Sequence, residues 1–597
     1  MNTSPSTSTP RSTFRKRFAH LGKMVLKYKK AGWLGILALT ISNAFDTVAP
    51  MFLREAVDSI RSGDGQYQLW QYASAFVLMI LCGGIARYFV RQTLIKASRR
   101  VEYDIRSDFF GQLLRLPRTF YHRTPTGDLI TRATSDVEAV RQMIGPGVMQ
   151  GANTLIVGTF AISLMMYLDW RLTLYALSPL LLMSVMMNQL ANKVHRQFTI
   201  IQEHFAILQA HAQESFAGIR VVKAYTQERS RTEEFDELNR QFIEKNMRMV
   251  HLQALFIPAL SLLVGASVAI VLYVGGTHIV EQTLSLGSFV AFSIYLGVLT
   301  WPTIALGWVV SLYQRGSVST DRLNRIIDTP SDVTTRPGAV RPEHVRGKIR
   351  IQNLTFRYSP DGPDVLRGIN MDIEPGQTVS IVGPTGSGKS TLIHLLSRLY
   401  EVPEGTIFID DQDIVMWPLR DLRRTIGCVP QEPFLFSNSL RDNIAFGFDA
   451  PGEVKAKKIE EAARWANLAN DVDQFPKGYD TMIGERGITL SGGQKQRASL
   501  ARALILNPKI LILDDAFASV DTHTEEAILS ELRTVTEQRT TILISHRVST
   551  VKESDTIFVL DEGRICESGS HADLVAASGL YADMYRKQLL ETELEDA

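Results

Sequence analysis

Four stretches of this chain, residues 145–168, 172–192, 252–276 and 286–313, contain no Asp, Glu, Lys or Arg. A soluble core helix of that length rarely lacks charge on every side, whereas a bilayer crossing needs ~20 consecutive apolar residues. Two further runs, near 31–54 and 69–91, are long enough for the same purpose. The expected fold class is therefore a membrane α-helical domain of six transmembrane helices. At 597 residues the chain is too long for one core, and ordinary soluble composition after about Arg341 points to a second domain.

The links between the runs alternate in length and charge. Glu55–Tyr67, Asp169–Arg171 and Thr277–Ser285 are short and not enriched in Lys or Arg. Gln92–Ile144 and Lys193–His251 are long and rich in both, which places them, with both termini, in the cytoplasm. The segment from Ile201 to Phe216 has no Gly or Pro and recurrent apolar spacing, so the spanning helices are expected to continue into the cytoplasm. Residues 1–30 contain no acid. Phe14, Phe18, Leu21, Val25 and Leu26 alternate there with Arg15, Lys16, Arg17, Lys23, Lys27, Lys29 and Lys30, a mixture suited to a basic helix on the membrane surface. The expected location is the cell's inner (plasma) membrane; a mitochondrial presequence is the rival reading. Asp46 is an acid well inside the first run, either a functional carboxylate or one facing water toward the outer end. Cys82, Cys428 and Cys566 are far apart without metal spacing and read as buried free thiols. A net charge of +2 gives no reason to expect nucleic acid as a partner.

Residues 326–346, with Pro330, Pro337 and Pro342, read as a linker between a membrane domain at 31–325 and a second domain at 347–597. The second domain contains Gly383-Pro-Thr-Gly-Ser-Gly-Lys-Ser390 between a β-type run, Thr378–Val382, and a helical pattern beginning at Thr391. This is the G-x-x-x-x-G-K-[ST] phosphate loop in an α/β context. Gly383, Thr385, Gly386, Ser387, Gly388 and Thr391 would cradle a nucleoside triphosphate with backbone N–H groups and a helix N-terminus. Lys389 would reach its β- and γ-phosphates, and the Ser390 hydroxyl would hold Mg²⁺. A second strand, Ile510-Leu-Ile-Leu513, ends in Asp514-Asp515, as in a Walker B element that delivers a carboxylate, Asp514, to the metal.

Between the two lies Leu490-Ser-Gly-Gly-Gln494 followed by Lys495-Gln-Arg497. With the flanking elements, this sequence resembles the signature of the ATP-binding cassette (ABC) family, and the resemblance extends over the whole chain. It implies ATP and Mg²⁺ as cofactors. It implies further that Ser491, Gly492, Gly493 and Gln494 close the site of a partner cassette. Tyr358 matches the aromatic that stacks on adenine, and Gln431 the glutamine that touches Mg²⁺ and the attacking water. Asp521 matches the aspartate that communicates across the cassette dimer, and His546 the switch histidine at the γ-phosphate. Thr481–Gly487 resembles the segment that precedes the signature in exporters. In the membrane half, Thr126–Val137 and Ser215–Glu228 look like the two coupling helices of the same exporter group. One membrane half fused to one cassette resembles a half-transporter.

One position departs from the family pattern. The catalytic carboxylate after the Walker B aspartate is normally Glu, and here it is Asp515. One methylene less leaves its oxygens about 1–1.5 Å short of the attacking water, and misplacement by about 1 Å can cost ~10²-fold in rate. The leading expectation is an ATP-driven exporter half for amphipathic drugs, lipids or peptides. In it this chain pairs with a different subunit and contributes the weakened site. The alternatives are a homodimeric exporter and a membrane-anchored ATP-dependent regulator. A soluble cassette protein is excluded by the six spans.

Overall fold

The computed structural model describes residues 18–62, 66–484, 490–520, 522–536 and 539–595. It divides into two compact units, Met1–Leu114 with Thr126–Thr329, and Arg115–Pro125 with Pro330–Ala597.

In the first unit a short helix α1 (Ala19–Lys27) precedes six long ones. These are α2 (Lys29–Ser62), α3 (Tyr67–Leu113), α4 (Thr126–Leu168), α5 (Trp170–Ala217), α6 (Glu228–Val280) and α7 (Leu286–Ile327). Among the described residues α2, α3, α4, α6 and α7 are each long and apolar enough to cross a membrane, and α5 carries the remaining uncharged run. The 48 residues of α5 extend about 70 Å at ~1.5 Å per residue, against a hydrocarbon thickness of ~30 Å. The surplus is the helical extension expected from the long charged links. Helix α1 buries Leu21 and Met24, and Lys27 and Tyr28 both donate to Asp104 of α3, at 2.8 and 3.0 Å. Helix α4 is broken by a π-helical turn at Met143–Gly147, where Pro146 supplies no N–H and its ring displaces the preceding turn.

The apolar runs do not by themselves say which helix meets which, because lipid tails are as apolar as Leu. Small residues and polar ties supply that specificity. Asp58 of α2 accepts from Ser285 Oγ at 2.6 Å and from the Gly287 N–H at 2.8 Å, anchoring the start of α7. Asp169 caps α5 by accepting from the N–H groups of Arg171 and Leu172, and it also bonds His278 at 2.7 Å. The buried Tyr295 hydroxyl donates to the Thr47 carbonyl at 2.8 Å. Asp46 forms an ion pair with Arg87 of α3. Its neighbour is thus a helix-borne cation rather than bulk water alone.

The second unit is α/β. Its strands are β1 (Ile349–Phe356), β2 (Leu366–Ile373), β3 (Thr378–Val382), β4 (Ile407–Ile409), β5 (Gln412–Asp413), β6 (Ile426–Val429), β7 (Ile510–Asp514), β8 (Thr540–Ile544), β9 (Thr556–Asp561) and β10 (Arg564–Gly569). An antiparallel sheet runs β2-β1-β4-β5. A six-stranded sheet runs β10-β9-β3-β8-β7-β6, parallel except where β10 returns against β9. β7 and β8 are buried on both faces, as their unbroken aliphatic runs require. One core lies between the two sheets around Ile349, Ile381, Trp417 and Ile512. The other lies on the far face of the parallel sheet around Leu440, Ala462, Leu504 and Leu543.

Two sequence expectations change here. The cysteines are free, but Cys82 is half-buried and Cys428 and Cys566 are exposed. The last two sit on β6 and β10, the edge strands of the six-stranded sheet, where the alternating face is uncovered. The segment that groups with the cassette is Arg115–Pro125, containing the helix Arg118–Arg123. Thr126–Val137 instead begins α4 in the membrane unit. In Ser215–Glu228, by contrast, a short separate helix, Ile219–Ala224, does lie between α5 and α6.

Candidate functional site

In an open parallel sheet, ligands bind beyond the carboxyl ends of the strands. Four neighbouring strands here deliver four sequence-predicted elements to that edge. β3 ends at the phosphate loop, and beside it β8 runs through Ser545 to His546. β7 ends at Asp514 and Asp515, and β6 leads to Gln431. Residues separated by up to 163 positions are thereby gathered by strand register alone, with Ile381 and Asp514 both opposite Ile544.

The loop from Gly383 to Gly388 can be built only with glycine at its bends. Gly383 has φ +149°, and a Cβ there would meet the Leu560 carbonyl oxygen at 2.0 Å. Gly388 has φ +107° and would place a Cβ 2.7 Å from Leu366. The loop tip, with Thr385 and Gly386, is exposed. Helix α8 (Lys389–Leu396) starts directly behind it. Lys389 is buried, and its Nζ donates to the carbonyls of Gly383 at 2.9 Å and Pro384 at 2.8 Å and to Ser387 Oγ at 3.4 Å. Burial pushes its pKa down while Asp514 and Asp515 pull it back up. Burial also pushes the Asp514 carboxyl up, against the hydrogen bond from Ser390 Oγ at 3.5 Å.

Asp515 takes φ +47°, a left-handed conformation that Asp tolerates better than most residues. Its N–H donates to the Ile544 carbonyl at 2.9 Å, and its Oδ2 accepts from Gln431 Nε2 at 3.5 Å. Lys389, Ser390, Asp514, Asp515 and Gln431 therefore form one contiguous polar patch, with exposed His546 close enough to act on Asp514 electrostatically.

Ser491 caps helix α9 (Gly492–Leu504). Its hydroxyl accepts from the Gln494 N–H at 3.2 Å, and the Gln494 side chain accepts from the Ser491 N–H at 3.0 Å. Gln494 also donates to Asp471 at 2.9 Å. A Cβ on Gly492 or Gly493 would press on Ser519, at 3.1 and 3.0 Å. Among the described residues no hydrogen bond joins this cap to the phosphate loop of its own chain. Asp521 and Glu485–Gly487 lie outside the described residues.

Tyr358 is 41% exposed, and its hydroxyl shares a hydrogen bond with Thr391 at 2.8 Å, tying it to the end of the phosphate loop. Around it stand Arg118, His122, His394 and Tyr400, none of which belongs to a recognisable sequence motif. They come together from two distant segments, 118–122 and 394–400, so no local pattern announces them. The residues suit Mg-ATP by their chemistry. A loop whose bends exclude side chains meets a lysine, a hydroxyl–carboxylate pair suited to a hard cation, and a partly exposed aromatic ring.

Two family models match the chain: "ABC transporter transmembrane region" over residues 33–303, and "ABC transporter" over residues 366–518. The chain is 36% identical to the probable multidrug resistance ABC transporter ATP-binding/permease protein YheI of Bacillus subtilis, over 95% of this chain and 98% of that protein. It is also 36% identical to the multidrug resistance-like ATP-binding protein MdlA of Escherichia coli, covering 95% of each. Identity to the ATP-dependent lipid A-core flippase of Aromatoleum aromaticum is 35%, over 88% of this chain and 87% of that one. A solved structure of a bacterial Atm1-family ABC exporter with ATP bound superposes with a TM-score of 0.76 at 30% identity, over 96% of this chain and 99% of that one. The chain belongs to the ABC transporters, with one transmembrane region and one ATP-binding cassette on a single polypeptide.

Proposed function

We propose that this chain is one half of an ATP-driven exporter of amphipathic molecules (drugs, lipids or peptides) in the cell's inner membrane. In this reading it works beside a different half-transporter and contributes the weaker of two ATPase sites. Its likeness to multidrug and lipid A-core transporters supports the substrate class. The observation that carries the asymmetry is Asp515 at the position of the catalytic carboxylate, together with an intact cap at Ser491–Gln494.

The family resemblance, with the placement of the described side chains, supports the following roles. Lys389 and the loop from Gly383 to Thr391 hold the phosphates, and Tyr358 offers its face to the base. Ser390, Asp514 and Gln431 would hold Mg²⁺, which would supply positive charge to the phosphate oxygens. Asp515 orients the attacking water, with His546 at the γ-phosphate, but from a side chain one methylene short. Ser491, Gly492, Gly493 and Gln494 present a hydroxyl and N–H groups at a helix N-terminus, an arrangement that favours an anion. In a pair they face the partner's nucleotide, and the resemblance gives Asp521 the role of communicating across the cassette dimer. Residues 31–325 form the membrane domain, 347–597 the cassette, 326–346 the link between them and 1–30 a basic cytoplasmic segment.

The test is ATP turnover and vesicle transport by this chain purified alone and with a partner half-transporter. Alone it should hydrolyse ATP slowly. In the pair, Asp515→Ala should change turnover little, whereas Ser491→Ala should lower it by ~10²-fold or more, since the loss then falls on the competent site. Brisk turnover by this chain alone, lost on Asp515→Ala, would instead establish a homodimer in which the shorter carboxylate suffices.

A further inference from the structure

The helix Arg118–Arg123 comes from the loop between α3 and α4, yet it belongs to the cassette unit. It forms one wall of a cavity of about 380 Å³, and Tyr358 forms another. The walls are rigidly joined. Tyr400 packs edge-on against Tyr358 with ring centres 5.0 Å apart, and the His122 ring lies end to end with that of Tyr400, near-parallel at 16° with centres 6.5 Å apart. His122 Nε2 and the Tyr400 hydroxyl share a hydrogen bond at 2.9 Å. Arg118 Nη1 stands 2.7 Å from Nε2 of His394, which lies on α8 behind the phosphate loop. Burial, with Arg118 and His122 nearby, pushes the His394 pKa down to about 4. The imidazole is therefore neutral at physiological pH, and its Nε2 accepts from Arg118.

We propose that Arg118 and His122 are nucleotide-binding residues that close the base end of the site and make it selective for purines. The proposal rests on the ATP-binding reading above and adds a base-recognising wall to it. A base stacked on Tyr358 enters a space bounded opposite by a guanidinium and an imidazole. A guanidinium carries five N–H donors and no acceptor, and one of them is committed to His394. The others match the ring-nitrogen acceptors of adenine and guanine, and the planar cation also lies well against an extended π face. A pyrimidine is one ring shorter and leaves that wall unmet. The loss is then an unsatisfied polar contact, the kind of difference by which binding sites discriminate.

The experiment is direct titration of the full-length chain in detergent, with Mg²⁺, against ATP, GTP, UTP and CTP. The unsubstituted chain should bind ATP and GTP more tightly than UTP and CTP. Arg118→Gln and His122→Ala should each weaken ATP and GTP by about tenfold, the equivalent of ~1.4 kcal/mol, and leave UTP unchanged. Should Arg118→Gln fail to fold, Arg118→Lys, which keeps the charge but loses the fork, should show the same narrowing of purine preference. Equal weakening of all four nucleotides, or none, would overturn the proposal. Failure of the underlying reading looks different, because Lys389→Ala would then leave binding of every nucleotide intact.

Discussion

The cassette and the membrane unit solve the same problem, assigning each element one place, by different physics. In the cassette, water does most of the work. Ile, Leu and Val of β3, β7 and β8 are excluded from it, and the polar groups are left at the strand ends, where they assemble the site. In the membrane unit apolar side chains gain little by leaving lipid for protein. Single polar ties such as Asp58–Ser285, Asp169–His278 and Asp46–Arg87 do the aligning there. A functional group in the cassette is thus an end product of the core. In the membrane unit the polar groups are themselves the positioning devices. Substitutions should accordingly abolish chemistry in one unit and loosen geometry in the other.

The largest effect is expected at Lys389. Its Nζ is buried among the carbonyls of Gly383 and Pro384 and supplies the positive charge of the loop's interior. Lys389→Ala should largely remove photolabelling of the chain by an azido-ATP analogue, with a small effect on thermal unfolding because the two aliphatic cores are untouched. Undiminished labelling would remove the phosphate site from the cassette. A collapse of stability would instead blur the distinction, since the side chain would then be part of what holds the unit together.

Next comes a close approach in the membrane unit. Gly287 lies so near α2 that an added Cβ would meet the Arg54 carbonyl oxygen at 2.2 Å and the Asp58 carboxyl at 2.7 Å. Backbone cannot swing aside as a flexible side chain can, so Gly287→Val should separate the start of α7 from α2 and lose both Asp58 hydrogen bonds. Overpacking of this kind costs roughly 1–3 kcal/mol. Thermal unfolding in detergent should fall by several degrees, with nucleotide labelling retained. An unchanged melting temperature would mean that the Asp58 tie positions nothing.

The legibility of the molecule follows the same division. Phosphate loop, Walker B strand and signature are readable because each is a contiguous run whose local geometry is its function, and the parallel sheet then brings their ends together. Tyr358 and His546 were found only through family resemblance, being ordinary residues at strand ends. Arg118, His122, His394 and Tyr400 were missed because their meeting depends on contacts across as many as 278 positions. The six spans could be read from composition, but not which helix Asp46 faces, since nothing in an apolar run encodes its neighbour. The exposure of Cys428 and Cys566 is illegible for a related reason, because the sequence does not show that β6 and β10 are edges.

The smallest expected effect, and the sharpest test of the comparison, is at Asp46 and Arg87. Their side chains are 29% and 59% exposed, so neither is sealed in the protein, and together they join α2 to α3. Beside them Ser42 donates to the Gly83 carbonyl at 2.9 Å, and a Cβ on Gly83 would lie 2.7 Å from Asp46 Oδ1. The two helices therefore approach closely where the pair sits. Polar contacts between membrane helices average about 0.6 kcal/mol and reach about 1.7. Asp46→Asn and Arg87→Gln should each lower the melting temperature in detergent by a degree or two. The double substitution should cost less than the sum of the singles, because each single change already removes the shared interaction. The exchange Asp46→Arg with Arg87→Asp restores opposite charges at the same height and should recover part of the loss. Strict additivity in that cycle would show that the ion pair aligns nothing, leaving the packing at Gly83 to hold α2 against α3 on its own.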